Sequence, residues 1–386
     1  MQPPSAYIIA ARRSALGRVG GLHRTRRIDA LTAPIVEAVL ADANIEREAV
    51  DEVIIGNATE GGNPARLIAL AAGLPETVSA TTIDRQCGSG LEAILAGIRA
   101  IGLGEAEIVI AGGADSLSTA PWRIMRPRSL YQTPHFMRYE PTMVDAPDEP
   151  QPFEASEELA KRYGITRKAQ DTWALASHRS ATAAREARRF VGEIVALRSN
   201  ADEARDQSAT SLDDDEVTDA IPFLPEDGTL TPANSASMHD GAAIVAIVSE
   251  GVWQRLGRPP ALQLIASASQ GVGPDAEAEA PIAATRKLYK RLNGMKPAQI
   301  GVVELSESSA AQAIAFTNAL QLAPDIINPA GGAVVRGHPF GASGAVLVVR
   351  LFTTMARNTD ESAPKFGLVS QGAIGGLGLS ALFARA

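Results

Sequence analysis

Apolar residues fall along this chain in two alternating patterns. Short runs that are apolar on consecutive positions, Ala6 to Ala11 (AYIIAA), Asp51 to Gly56 (DEVIIG) and Glu107 to Ala114 (EIVIAGGA), read as strands buried on both faces. Between them, apolar positions recur at helical spacing, as in Ile28, Leu31, Ile35 and Val39, which predicts a helix with one buried stripe. The order strand, helix, strand, helix, strand favours a mixed or parallel sheet covered by helices.

The same order returns about 250 residues later. Ala6 to Ala11 is echoed by Ala261 to Ala266, and Asp51 to Gly56 by Ile300 to Leu305. The turn Cys87-Gly88-Ser89-Gly90 with its apolar helix is echoed by Gly341-Ala342-Ser343-Gly344, and Glu107 to Ala114 by Lys365 to Ala373. The prediction is an α/β protein of two pseudo-symmetric halves whose glycine-rich turns meet at a shared cleft. Residues 1–118 form the first half, completed by about 241–259, and residues 260–386 form the second.

Residues 119–240 differ in composition and read as an inserted loop domain. Pro121 to Pro152 is rich in proline and aromatic residues, and its Arg123, Arg126, Arg128 and Arg138 stand out as a place for a phosphate-bearing ligand or a subunit contact. Thr166 is placed to cap a helix, and the acidic run Asp202 to Glu216 reads as solvated surface.

With 386 residues, 45% hydrophobic and 21% charged, the chain can bury a large core and is not a disordered polymer. Its net charge of −8 argues against a nucleic-acid or anionic-membrane partner. No apolar window reaches the length of a membrane span and no signal peptide is evident, so a cytoplasmic location is expected. One cysteine and five scattered histidines give no metal-ligand spacing, and no metal is expected.

Two constellations carry chemistry. Cys87 lies where a strand gives way to a glycine-rich turn and a helix, and a helix N-terminus favours the thiolate; a buried structural cysteine is the alternative. His338 lies in the Gly337-His338-Pro339 turn before the second repeat's helix, so the pseudo-symmetry predicts that it faces Cys87 and activates it. His23, His135 and His178 lie in no comparable context and are taken as surface or loop residues.

The run IIAARRSALGR, NPAR, DRQCGSGLEAI, EIVIAGGADS, NPAGGAVVRGHPFGASGA and GAIGGLGLSALF resembles the thiolases, in order and over essentially the whole chain. The resemblance implies a layered αβαβα core, a homodimer or homotetramer, and acyl transfer through an acyl-cysteine, with acyl-coenzyme A as substrate and no permanently bound cofactor. Cys87 matches the family's nucleophile and His338 its activating histidine. Ser267 to Gly271, Glu307, Ser309 and Gly375 match substrate-facing positions.

Three departures stand out against the family pattern. Gly372 occupies the place of the second catalytic cysteine, and a glycine moves no proton. The NEAF motif reads Ser306-Glu307-Ser308-Ser309, so a serine replaces the asparagine that holds an oxyanion-hole water. His239 replaces an asparagine before Asp240-Gly241-Ala242, and either His239 or Glu60 is a candidate for the missing acid or base. The resulting expectation is thiolysis or Claisen condensation of a 3-ketoacyl-CoA. The alternatives are a relative that hydrolyses or transfers the acyl group elsewhere, and a thiolase-like subunit that binds without turnover.

Overall fold

The structure is a computed structural model that describes residues 5–127, 129–137, 153–197, 204–208, 212, 214–224, 227–292 and 295–386. Nine strands form its main path: β1 (Ala6–Ser14), β2 (Glu52–Gly56), β3 (Ser79–Ile83), β4 (Ile108–Asp115), β5 (His239–Ser249), β6 (Leu262–Gly271), β7 (Val302–Leu305), β8 (Phe366–Ala373) and β9 (Leu377–Arg385). Their order is β7-β8-β9-β6-β1-β5-β4-β2-β3. The halves join where β1 and β6 pair antiparallel, through Tyr7 opposite Gln263 and Ile8 opposite Leu262. From that seam outward the same pattern unfolds on both sides, two antiparallel pairings followed by a parallel one. The strand pairs anticipated from the repeat, β1 with β6, β2 with β7 and β4 with β8, occupy equivalent places.

Among the described residues the longer helices are α1 (Ile28–Ala43), α2 (Pro64–Ala71), α3 (Ser89–Leu103), α4 (Glu154–Arg162), α5 (Arg167–Glu186), α6 (Ala280–Tyr289), α7 (Ala310–Leu320) and α8 (Ser343–Met355), of which α4 and α5 pack on other helices and the rest on the sheet. Successive residues of a strand point to opposite faces. On β5, Ile244, Ala246 and Val248 therefore join the core under α1 and α2, while Ala243, Val245 and Ile247 pack against α3 and α8. In the second half Val369, Leu379 and Phe383 face α3 and α8, and Leu368 and Leu382 face α6 and α7. The layers run α1/α2, first half-sheet, α3/α8, second half-sheet, α6/α7, which is the αβαβα order. Burial on both faces explains why the strands are apolar without alternation.

The inserted region contributes α4, α5 and a small hairpin of Ile124–Met125 with His135–Phe136. Thr166 caps α5 by accepting from the Ala169 N–H at 3.2 Å. Arg126 is exposed, whereas Arg128, Arg138 and much of the acidic run lie outside the described residues. Of the histidines expected in surface or loop positions, His135 is exposed, His23 lies in a loop but is buried, and His178 is buried on a helix. His23 Nε2 bonds the Ala15 carbonyl at 2.8 Å, and His178 lies on the buried face of α5. No helix among the described residues is long and apolar enough to cross a membrane.

A buried ionic cluster ties the inserted region to both halves. Glu193 accepts from Arg13 Nε of β1 at 2.6 Å and from Arg350 Nη1 of α8, and Asp206 takes the rest of the Arg13 guanidinium. Both guanidiniums lie over the Phe190 ring. Burial alone would raise the Glu193 carboxyl, but the Arg350 and Arg13 charges outweigh it and bring it down to about 2 from an ordinary 4.5. A depressed folded-state pKa contributes stability above the unfolded value and loses it as pH falls toward about 2. Glu193→Gln, which leaves two buried cations short of a partner, is expected to cost about 3–5 kcal/mol in urea unfolding near neutral pH. The wild-type advantage should shrink on acidification between about pH 4.5 and 2, and a cost independent of pH in that window would contradict the ionic account.

Candidate active site

Cys87 follows β3 in a tight turn. Gln86 adopts a left-handed φ of 53°, the Ser89 hydroxyl accepts from the Arg85 N–H at 2.8 Å, and α3 begins at once. Gln371, on β8 of the opposite half, donates its side-chain amide to the Cys87 carbonyl. The sulfur is thus delivered at the start of a central helix and held from both halves.

His338 comes from the equivalent turn before α8. Gly337 carries a φ of 93°, and a side chain there would collide with the His239 ring. The His338 N–H donates to Ser237 O at 2.8 Å, its Nδ1 bonds the Ser343 hydroxyl at 2.6 Å, and Phe340 lies 5.4 Å from the ring. Asp115, at the end of β4, accepts from the Gly341 N–H with one oxygen and from Asn57 (2.7 Å) and Thr59 (2.6 Å) with the other. It clamps the histidine turn onto the first half.

The two turns meet backbone to backbone, with the Gln371 side chain reaching in beside Gly344. A Cβ on Gly90 would fall 2.5 Å from the Gly341 carbonyl oxygen, and one on Gly344 would fall 2.7 Å from Leu91 Cβ. Only glycine permits that approach. A cavity of about 470 Å³ opens beside the junction. Gln86 and Ile374, neighbours of the sulfur, line one part; Met238 and Phe340, neighbours of the imidazole, line another; Trp122 and Phe136 of the inserted region, both exposed, line its outer side.

The electrostatics correct the expectation of a resting thiolate. Burial pushes the Cys87 thiol up to about 12; hydrogen bonds from the Ile374 and Cys87 N–H groups pull the other way, and the Glu277 and Asp115 charges add to the rise. Burial also holds His338 down to about 4, with His239 contributing. The helix N-terminus does not overcome desolvation here. At rest Cys87 is a neutral thiol and His338 a neutral imidazole, which is the form in which imidazole serves as a base.

The other sequence-derived positions divide. Ser306 accepts from the Gly372 N–H at 3.3 Å, so these two departures are neighbours. A Cβ at Gly372 would have Pro281 Cγ at 3.3 Å and Gln312 Nε2 at 3.4 Å. Ser309 is the N-cap of α7, accepting from the Gln312 N–H at 3.2 Å. Glu307 is buried with one oxygen taken by Trp173 Nε1 (2.7 Å) and the other by the Val334 N–H (3.1 Å), so it ties α5 to the segment leading to His338. His239 is fully buried, its Nε2 with Ser208 at 2.7 Å and its Nδ1 with Ser237 O at 3.0 Å, which leaves neither nitrogen to meet a substrate. Glu60 has a buried Oε1 without a hydrogen-bond partner among the described residues, and burial raises its carboxyl against the influence of Arg27. Ser267 is mid-strand on β6, its carbonyl accepting from Arg291; Gly271 ends that strand opposite Leu377, and Gly375 donates its N–H to Glu277 at 3.1 Å.

Sequence reasoning passed over Asp115, Ser343, Gln371, Ile374 and Glu277. Asp115 and Ser343 sit inside motifs already singled out, so their roles as clamp and imidazole partner had a local signal. Ile374 acts through its backbone and Glu277 through a distant loop, and neither leaves a mark in side-chain spacing.

Comparison with known proteins agrees with this architecture. The family "Thiolase, N-terminal domain" matches residues 6–251 and "Thiolase, C-terminal domain" matches residues 259–385. A Bacillus subtilis (strain 168) protein named "Putative acetyl-CoA C-acetyltransferase YhfS" is 37% identical over 98% of this chain and 99% of its own length. A Staphylococcus aureus (strain MRSA252) protein named "Putative acetyl-CoA C-acetyltransferase VraB" is 34% identical over 98% and 99%. The crystal structure of the Bacillus anthracis acetyl-CoA acetyltransferase superposes with a TM-score of 0.92 at 29% identity, covering 100% of both chains. The chain belongs to the thiolase family. It is an acyltransferase of the thiolase type.

Because the free thiol titrates near 12, alkylation of Cys87 by iodoacetamide is expected to be slow at neutral pH and to rise about tenfold per pH unit up to at least pH ~10 without a plateau. Peptide mass spectrometry across pH measures this, and a plateau beginning below pH ~8 would show a thiolate-stabilising site instead.

Proposed function

We propose that this protein forms an acyl-cysteine on Cys87 from an acyl-CoA, in thiolysis or Claisen condensation of a 3-ketoacyl-CoA. The reading is supported above all by one juxtaposition: the Cys87 turn and the His338 turn in backbone contact, with two N–H groups on the sulfur. The names of the relatives support an acetyl or short acyl group as substrate.

His338 Nε2, the ring nitrogen not held by Ser343, takes the thiol proton as the sulfur attacks the thioester carbonyl. The oxyanion that develops is met by backbone N–H groups at Cys87 and Ile374, the same donors that hold the resting sulfur. Coenzyme A leaves as the thiol, taking its proton from the His338 imidazolium. No charge is present at rest, so the ion pair forms only as the bond forms, and the fixed dipoles act on the transition state rather than on the free enzyme. A homodimer or homotetramer is part of the proposal, as in the family.

Incubation with acetyl-CoA or octanoyl-CoA and intact mass measurement should give an acyl adduct that disappears in Cys87→Ala. His338→Ala should slow adduct formation by about 10²–10⁴-fold. Adduct formation that survives Cys87→Ala, or no adduct from either thioester, would overturn the assignment.

A further inference from the structure

The second half-reaction requires a group that removes a proton from the α-carbon of the incoming thioester, and Gly372 offers none. We propose that Glu277 supplies it. This rests on the acyl-cysteine reading above and assigns the residue that completes it.

The observations are geometric. Glu277 stands in the turn before α6, and the residues that follow it cover Gly372: Pro281 Cγ lies 3.3 Å from where a Gly372 Cβ would be. The Ala278 carbonyl accepts from Gln312 Nε2 at 3.3 Å, and Gln312 Oε1 accepts at 3.5 Å from the Ser306 hydroxyl, which in turn accepts from the Gly372 N–H. The turn carrying Glu277 and the strand carrying Gly372 thus share one polar chain. The Glu277 carboxylate accepts from the Gly375 N–H at 3.1 Å, while the preceding amide, Ile374, donates to the Cys87 sulfur. Sulfur and carboxylate are therefore held by consecutive N–H groups of one loop.

Elimination leads to the same residue. Two carboxylates act on Cys87, Glu277 and Asp115. Asp115 has both oxygens committed to Asn57, Thr59 and Gly341 and serves as a clamp. Of the two candidates the sequence offers, His239 has no nitrogen to spare, and Glu60, although its Oε1 is unpartnered among the described residues, is not among the charges that weigh most on Cys87. Glu277 is only partly buried, and that burial raises its carboxyl above the ordinary range against the pull of the Gly375 and Gly376 N–H groups, which makes it a stronger base than a solvated glutamate.

The step balances without a further reactant. The ionised Glu277 oxygen takes the α-proton of the second acyl-CoA, so a C–H bond breaks and an O–H bond forms. The resulting enolate carbon attacks the acyl-cysteine carbonyl; a C–C bond forms, the C–S bond breaks and the electron pair returns to sulfur. The proton on Glu277 then passes to the Cys87 thiolate, which restores the starting state. Thiolysis is the reverse, with protonated Glu277 donating to the departing α-carbon.

The test uses the full chain in D2O with acetyl-CoA and octanoyl-CoA, following α-deuterium incorporation and the Cys87 adduct in the same samples. In Glu277→Gln, exchange is expected to fall by about 10²-fold or more while the adduct still forms, which also shows that the variant is folded. Gly372→Cys introduced into that variant, at a position where Pro281 and Gln312 must shift by a few tenths of an ångström to admit the side chain, should restore exchange. An adduct accompanied by exchange within about twofold of wild type in Glu277→Gln would overturn the Glu277 assignment alone. Absence of any adduct in the wild-type protein would overturn the acyl-cysteine reading and this assignment together.

Discussion

The close approach of two glycine turns across the centre of the molecule is the constraint on which the rest depends. Gly90 and Gly113 both lie against the Gly341 carbonyl, at distances that leave no space for a Cβ. That contact sets how near α3 and α8 start to one another, and so how near the residues just upstream of each helix, Cys87 and His338, are brought. The pseudo-symmetry of the sheet supplies the alignment, and the absence of side chains supplies the proximity. Asp115 and Gln371 then fix the contact with hydrogen bonds that cross from one half to the other.

Much of this was legible in the sequence because the forces that make it are local or periodic. Strands buried on both faces must be apolar throughout, so their repetition about 250 residues apart marks the two halves in the sequence itself. Glycine at Gly90, Gly341 and Gly344 advertised close backbone contact, and Thr166 advertised a cap. What could not be read was any property set by burial. The helix start at Cys87 suggested a lowered thiol pKa, yet desolvation prevails and raises it. Ser309 and Glu307 occupy positions that face substrate in the resemblance, and here one caps a helix while the other braces Trp173. His23 and His178 looked solvated because nothing in their neighbours announced the carbonyl or the helix face that buries them.

The missing cysteine illustrates the same division. Gly372 announces a loss, but the sequence around Glu277, PDAEAE, reads as an ordinary acidic turn. Its relation to Gly372 runs through the Gly375 N–H and through Pro281, Gln312 and Ser306, side chains from three different elements. A functional position emptied in one segment and filled from another leaves two weak signals far apart in the chain. Folding unites them.

The ionic cluster around Glu193 has a consequence for how this architecture can be taken apart. Arg13 belongs to the first half, Arg350 to the second, and Glu193 and Asp206 to the inserted region between them. A fragment cut after β5 would keep Arg13 with its two carboxylates, but one beginning at β6 would leave Arg350 and Arg336 to share the single carboxylate of Glu304. For all their internal resemblance, the halves are not interchangeable modules: shuffling one between relatives would carry a stranded charge into the new host, and fragment complementation would have to restore electroneutrality before it could restore shape.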